Sequence, residues 1–395
     1  MRRAAFLLLL SVFGCATAPE RSRVPVSWDL SAAAGAAFTY LDRKPEAGTV
    51  RRVTLDGVPY RGRPTKVFGY LGLPKTDGSR RVPGVVLLHG AGGSAFRSRV
   101  GEWMKRGYAA LAVDLCGAIP GGEYGEDEFT GHRRSPMGGP SDCGGRATVG
   151  EFVTDQWPYH AVAAALRAVA ALSDLPVVEC DQVGVVGVDW GGYVAAMTAS
   201  LDARVAFAVV DAPCGFMSEA GRRPTEIRAW RDLWHLESYL PNAHCPFFWI
   251  AETNDVECPL DELSRARELV DYAPGRLAIR NRIIRSTGPR RDFPREAFGF
   301  ADEVTGKGAA YPQCVRTGLH GSIASATFDM RGREAKMAAF YWTMDSGNWA
   351  DRRWKSFPVD LDAGTVVSPV PEGASAWYFS VFFDGGSVIS SDIVR

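Results

Sequence analysis

The chain has 395 residues, of which 46% are hydrophobic and 23% charged, so it has the composition of a folded globular protein and the length for two domains. Its 45 Lys and Arg balance 45 Asp and Glu, so no net field draws it to nucleic acid or to an anionic membrane surface. Nucleic acid is therefore not expected as a partner.

Arg2 and Arg3 precede an apolar run from Ala4 to Phe13, the layout of a secretory signal and too short to span a bilayer. The stretch Val12-Phe13-Gly14-Cys15 resembles a bacterial lipobox, with Phe13 an imperfect fit, and implies lipidation of Cys15. Residues 1–18 are thus expected to be a signal peptide. The competing cleavage after Ala16-Thr17-Ala18 would leave Pro19, a disfavoured residue, just past the scissile bond. Both readings predict export. Lipidation adds an anchor to a bacterial membrane, at the outer membrane or a periplasmic face, and cleavage gives a periplasmic or secreted product. Seven cysteines besides Cys15 then lie where disulfides are permitted. Cys116 and Cys143 flank one long loop and are candidates to bridge, while no Cys-x-x-Cys pair or zinc-spaced His/Cys cluster occurs. The sequence calls for no metal and no cofactor.

Residues 19–50, rich in Ala, Pro and Arg, read as a tether and lead-in. "RRVTLDGVPY" and "TKVFGYLGLP" predict antiparallel edge strands. "VPGVVLLHG" (82–90) is an unbroken apolar run, as in a strand buried on both faces, and a helix is expected over 96–106. A strand at "YAALAVDLCG" (108–117) leads into a Gly- and Pro-rich loop over 118–150, long enough to suggest a lid or binding loop. "PYHAVAAALRAVAAL" (158–172) is a helix with proline in its first turn. "VGVVGVDWGGY" (183–193) reads as strand, tight turn and helix start. The alternation continues through "VAFAVVDAP", a helical insert over 227–240, "CPFFWIAETND", "LDELSRARELVDYA" and "RLAIRNRII". It implies a mostly parallel sheet flanked by helices over 51–314. From 315 to 395, aromatic-rich strand patterns such as "SIASATFDM", "AKMAAFYWTMD" and "SAWYFSVFFDGG" predict a small all-β sandwich.

These segments together, "VVLLHGAGG", "AALAVDLCG", "GVVGVDWGGY" and "FFWIAETNDVECPLD", resemble the α/β-hydrolase fold, and within it the esterase branch of acetyl xylan esterases and dienelactone hydrolases. "GGPSDCGGRATVGEFVTDQWPYHAV" and the terminal β domain strengthen the resemblance, which spans residues 50 to 395. It implies a nucleophile elbow framed by Gly187, Gly191 and Gly192, with the nucleophile at Asp189 where the family carries serine. It also implies an oxyanion hole from the backbone amides of Ala91 and Trp190, and a triad acid at Asp255. The family's histidine follows the last strand, where relatives read approximately Pro-His-Gly-His. Here "RIIRSTGPRRDF" (282–293) holds none, and no histidine lies between His244 and His320.

The leading expectation is an exported, catalytically impaired relative of carboxylic-ester hydrolases. Arg285, or its neighbours Arg282, Arg290 and Arg291, would take the histidine's place by pairing with Asp189 or Asp255, unless these arginines form a solvated turn. One alternative is an Asp-nucleophile hydrolase of the haloalkane dehalogenase or epoxide hydrolase kind, which shares "DWGG" at the elbow. A second relocates the base to His132, His235 or His320, with Ser286 as a substitute nucleophile; His89 and His160 read as a strand-end turn and a helix residue. A third is a non-enzymatic surface protein binding a small ester or a polysaccharide, on an aromatic platform of Trp342, Trp349, Trp354 and Trp377 unless these are core residues. "GAGGS" lacks phosphate-loop spacing, and the acidic run over 122–129 lacks that of a calcium loop.

Overall fold

The computed structural model describes residues 23–29, 37–44, 46–91, 93–119, 132–144, 148–213, 215, 224–270, 275–281 and 294–395. The signal segment with Cys15, and 282–293 with Arg285 and Ser286, lie outside the described residues.

The first half of the chain builds one sheet from β1 (Thr39–Tyr40), β2 (Val50–Asp56), β3 (Lys66–Gly72), β4 (Val82–Leu88) and β5 (Ala109–Val113). After a small hairpin, β6 (Ala118–Ile119) and β7 (Arg133–Arg134), the sheet resumes with β8 (Val178–Val188), β9 (Val205–Asp211), β10 (Phe247–Glu252) and β11 (Arg276–Arg280). Its order is β1-β2-β3-β5-β4-β8-β9-β10-β11. Pairing is antiparallel from β1 through β3 to β5, and parallel from there to β11.

The sequence explains why the strands sit so close to their neighbours. An added Cβ on Gly184 would stand 2.2 Å from the Phe207 ring, so β8 carries glycine where β9 sends an aromatic across it. Helices α1 (Arg97–Lys105), α2 (Trp157–Ser173), α3 (Trp190–Leu201), α4 (Pro224–Trp234), α5 (Leu260–Glu268) and α6 (Arg295–Val304) flank the sheet. The alanine-rich α2 is buried along nearly its whole length, and small side chains let it lie against both the sheet and α3. Val100 and Trp103 of α1 and Phe300 of α6 pack into the core on the opposite face.

The C-terminal part forms two antiparallel sheets. One holds β12 (Gln313–His320), β13 (Ile323–Asp329) and β16 (Thr365–Pro369), and the other β14 (Met337–Thr343), β15 (Lys355–Val359), β17 (Ala376–Phe382) and β18 (Val388–Ser390), ordered β12-β13-β16 and β15-β14-β17-β18. They share a core with the large sheet: Phe340, Phe379, Val381 and Ile389 cluster with Phe207, Phe248 and Phe300. The main-chain amide of Ile279 in β11 also donates to Ser390 Oγ at 2.9 Å.

Several local readings differ from the sequence patterns. The stretch read as a tether is partly built into the fold: Val26 is buried, Trp28 stacks on Tyr159 at 5.5 Å, and β1 pairs with β2. The helical insert ends at Trp234 and continues as two short 3-10 turns, the second containing Pro241, which cannot donate to a helix. Trp349, Trp354 and Trp377 are buried, and Trp342 stacks on Phe340, so these aromatics are packing residues rather than an open platform. No described helix is long and apolar enough to cross a membrane.

Candidate active site

Strand β8 ends at Val188 and α3 begins at Trp190, which leaves Asp189 alone to turn the chain. It does so at φ 58° and ψ −123°, a left-handed conformation that costs a non-glycine residue on the order of 1–3 kcal/mol. Neighbouring glycines make the turn possible. A Cβ on Gly187 would stand 2.0 Å from the Gly191 carbonyl oxygen, and one on Gly191 would stand 2.2 Å from that of Leu88. On Gly192 it would meet the Asp211 carbonyl at 3.0 Å. The Asp189 amide donates to the Asp211 carbonyl at 2.8 Å, tying the elbow to the end of β9.

The Asp189 side chain makes no capping hydrogen bond to the first turn of α3 and reaches instead toward the His89-Gly90 turn. Its Oδ2 accepts a hydrogen bond from the Ala91 amide at 3.0 Å. Ala91 follows His89-Gly90, and Gly90 has no room for a side chain because its Cβ would lie 2.8 Å from Asp189. One of the two amides expected to receive an oxyanion is therefore occupied by the elbow residue's own carboxylate. The Trp190 ring is buried edge-on to Trp157, Tyr193 and Trp230, at 5.5, 5.7 and 5.6 Å between centroids.

Asp255 follows β10, at the same end of the sheet as Asp189, and is 2% exposed. Its Oδ1 accepts the amides of Glu257 and Cys258 at 2.8 and 3.0 Å, so it closes the turn that leads into α5. A buried charge cluster, which the sequence did not reveal, lies at the same end of the sheet, where β9, β10 and β11 finish in Asp211, Glu252 and Arg280. Arg280, the last residue of β11, donates to Glu296 Oε2 at 2.9 Å. Burial disfavours its charge, but the negative charges of Asp211, Glu296 and Glu252 outweigh that and raise its pKa. Glu296 in turn accepts the Val388 amide at 3.1 Å, carrying the cluster into the C-terminal sheets.

The described histidines are engaged or exposed. His89 donates from Nδ1 to the Gly90 carbonyl and accepts the Leu115 amide on Nε2, both at 2.8 Å. His160 bonds the Thr154 carbonyl, and burial lowers its pKa to about 4. His235 lies 3.7 Å from Glu237, and burial lowers its pKa. His132, His244 and His320 are exposed. Arg285, expected to replace the triad histidine, lies outside the described residues.

The loop over 118–150 is pinned at its root. Cys116 and Cys143 form a disulfide with Cα atoms 5.3 Å apart. Arg134 donates to the carbonyls of Cys116, Gly117, Gly138 and Gly139. Beyond the bridge, Gly144 packs so close to Trp190 that a Cβ would stand 2.7 Å from the indole. Two groups of described residues bring three ligand-type atoms within 4.8 Å of one another: His89, Cys116 and Cys143, and His235, Glu237 and Glu262. In the second, Arg265 already pairs with Glu262. The first escaped the sequence reading because its members lie on separate elements rather than at a zinc-motif spacing.

No curated protein sequence matches the chain. An acetyl xylan esterase from a Thermoanaerobacterium species superposes with a TM-score of 0.50 at 16% identity, over 72% of this chain and 96% of that one. An acetyl xylan esterase from a Paenibacillus species gives 0.48 at 18% identity, over 65% and 85%. A dienelactone hydrolase described as putative, from Klebsiella pneumoniae, gives 0.39 at 14% identity, over 60% and 86%. The fold is that of the α/β-hydrolases, and residues 67–228, which include Ala91, Asp189 and Trp190, match the dienelactone hydrolase family.

Proposed function

We propose that this chain descends from carboxylic-ester hydrolases and has lost ester turnover while keeping the pocket's frame. The observation that carries this reading is the hydrogen bond from the Ala91 amide to Asp189 Oδ2. An ester carbonyl polarised at the hole would have to displace that carboxylate. If Asp189 attacked the ester instead, the product would be an acid anhydride, which is uphill from the ester. Hydrolysis would further need a base to activate water, and the described histidines hold other bonds or face solvent. The frame remains a candidate binder of a small ester or an acylated saccharide.

A second reading is supported by the retained elbow. A strained φ at Asp189, with three glycines packed too tightly for side chains, preserves the geometry that a carboxylate nucleophile needs. Such a nucleophile suits an electrophilic saturated carbon, since the resulting ester can be hydrolysed. Proton release by the purified protein and by Asp189→Ala, over acetylated sugars, aryl acetates and haloalkanes, together with diol formation from epoxides, separates the two. Silence from both proteins is expected. Aspartate-dependent acid production from haloalkanes, or diol production from epoxides, establishes the second reading, and ester turnover by the parent protein refutes the first.

We infer also that the N-terminal segment directs export and that Cys15 carries a lipid, on the strength of its charged start, apolar run and lipobox-like residues. Mass spectrometry of the mature N-terminus tests this: a diacylglyceryl-modified Cys15 is expected, and an intact Met1 rejects it.

A further inference from the structure

We propose that His89, Asp114, Cys116 and Cys143 form a redox-gated binding site for Zn2+: closed as a disulfide when oxidised, and a four-ligand metal site when reduced. Ligand atoms of His89, Cys116 and Cys143 already lie within 4.8 Å of one another. A second, independent observation comes from Asp114, whose side chain is only 1% exposed. Its Oδ1 accepts the amides of Cys116 and Ala118, at 3.0 and 2.7 Å. Its Oδ2 is buried, has no hydrogen bond, and lies 3.5 Å from His89 Nε2.

That nitrogen is itself an acceptor. Because Nδ1 donates to the Gly90 carbonyl, the lone pair of His89 sits on Nε2, where the Leu115 amide meets it. A carboxylate oxygen and a basic nitrogen thus face each other with no proton between them. An unsatisfied buried acceptor is costly and asks for a missing ion or donor. A cation between the two would satisfy both. The bond from Nδ1–H to a main-chain carbonyl is the outer contact that orients metal-bound imidazoles.

The donor set selects the metal. Two thiolates, one imidazole and one carboxylate suit tetrahedral Zn2+, whereas Ca2+ and Mg2+ prefer all-oxygen shells. In the disulfide the sulfurs offer no thiolate. A dithiol reductant supplies two electrons and two protons, breaks the S–S bond to give two thiols, and leaves as its own cyclic disulfide. Metal binding then forms two Zn–S bonds and releases the two thiol protons. The Leu115 amide gives up Nε2 to the metal. This inference does not depend on whether Asp189 is catalytic.

The test uses the full chain. It is reduced anaerobically with dithiothreitol, freed of reductant and titrated with Co2+, then Zn2+. One equivalent of Co2+ is expected to give thiolate-to-cobalt charge-transfer and tetrahedral ligand-field bands, which Zn2+ abolishes; unreduced protein gives neither. Asp114→Asn should weaken Co2+ binding at least tenfold. Because Asp114 variants risk misfolding, a second measurement uses the parent protein alone. Zn2+ should shield Cys116 and Cys143 of the reduced chain from alkylation, with exposed Cys180 labelled equally in both conditions. Reduced protein that binds no Co2+, or that alkylates at Cys116 and Cys143 equally with and without Zn2+, overturns the proposal.

Discussion

Replacing Arg280 with methionine should unsettle both the site and its attachment to the C-terminal sheets. At 2.9 Å from Glu296 Oε2, with side chains 19% and 1% exposed, the pair has a gross attraction of about 6 kcal/mol at an effective dielectric of 20. Much of that offsets desolvation, so the net worth of the pair is far smaller than its gross attraction. Removing one partner is different, because it strands the carboxylate of Glu296 beside Asp211 and Glu252. Such a break costs about 3–5 kcal/mol. For a chain of this length that is a fall of roughly 5 °C in Tm. The sign of the pH effect is a sharper test. Without the cation a buried carboxylate prefers its proton, so the folded variant binds more protons than its unfolded chain and gains stability as pH falls. Urea titrations followed by tryptophan fluorescence at pH 7 and pH 5 should show the gap to wild type narrowing at the lower pH. The double variant Arg280→Met with Glu296→Gln, which keeps an acceptor for the Val388 amide, should recover about half the loss. Should Arg280→Met lie within 1 kcal/mol of wild type at both pH values, the cluster does not exist as a buried network.

Other expected outcomes address separate parts of the chain. Gly191→Ala should destabilise by more than about 3 kcal/mol, because its Cβ would overlap the Leu88 main chain. Gly101→Ala, in α1 with open space around it, should stabilise by about 0.5–1 kcal/mol in the same titration. Equal effects would refute the elbow packing. His160 titrates at about 4 in the fold against 6.5 unfolded, so the unfolded chain takes the proton first as pH falls. That stability is complete above pH 6.5 and is lost toward pH 4, by about 3 kcal/mol. His160→Gln should flatten the stability profile in that window, and an unchanged slope would show that His160 is not buried neutral.

The sheet and elbow were legible because their signals are local. Unbroken apolar runs predicted β4 and β8, and one-residue spacings of glycine around Asp189 predicted the turn. Strands β12, β15 and β16 were missed. Their sequences, "QCVRTGLH", "KSFPV" and "TVVSP", alternate weakly, and two of them carry proline; all three lie at sheet edges, where unpaired backbone makes proline tolerable. What remained hidden at the site depends on partners far apart in the chain. Ala91 meets Asp189 across 98 positions, and Glu296 meets Val388 across 92. Residue types and spacing placed the carboxylate at the elbow, but only the fold shows that it fills the neighbouring amide's bond.

The core shared by the large sheet and the terminal strands also constrains how the chain is made. Phe379, Val381 and Ile389 leave the ribosome long after Phe207, Phe248 and Phe300, with which they share a core. A domain that folds as soon as it is synthesised needs its core complete, and here part of one face of the sheet stays uncovered until β17 and β18 have been made. Synthesis that stops short of β17 would leave an apolar surface exposed, a target for chaperones and proteases rather than a smaller working protein.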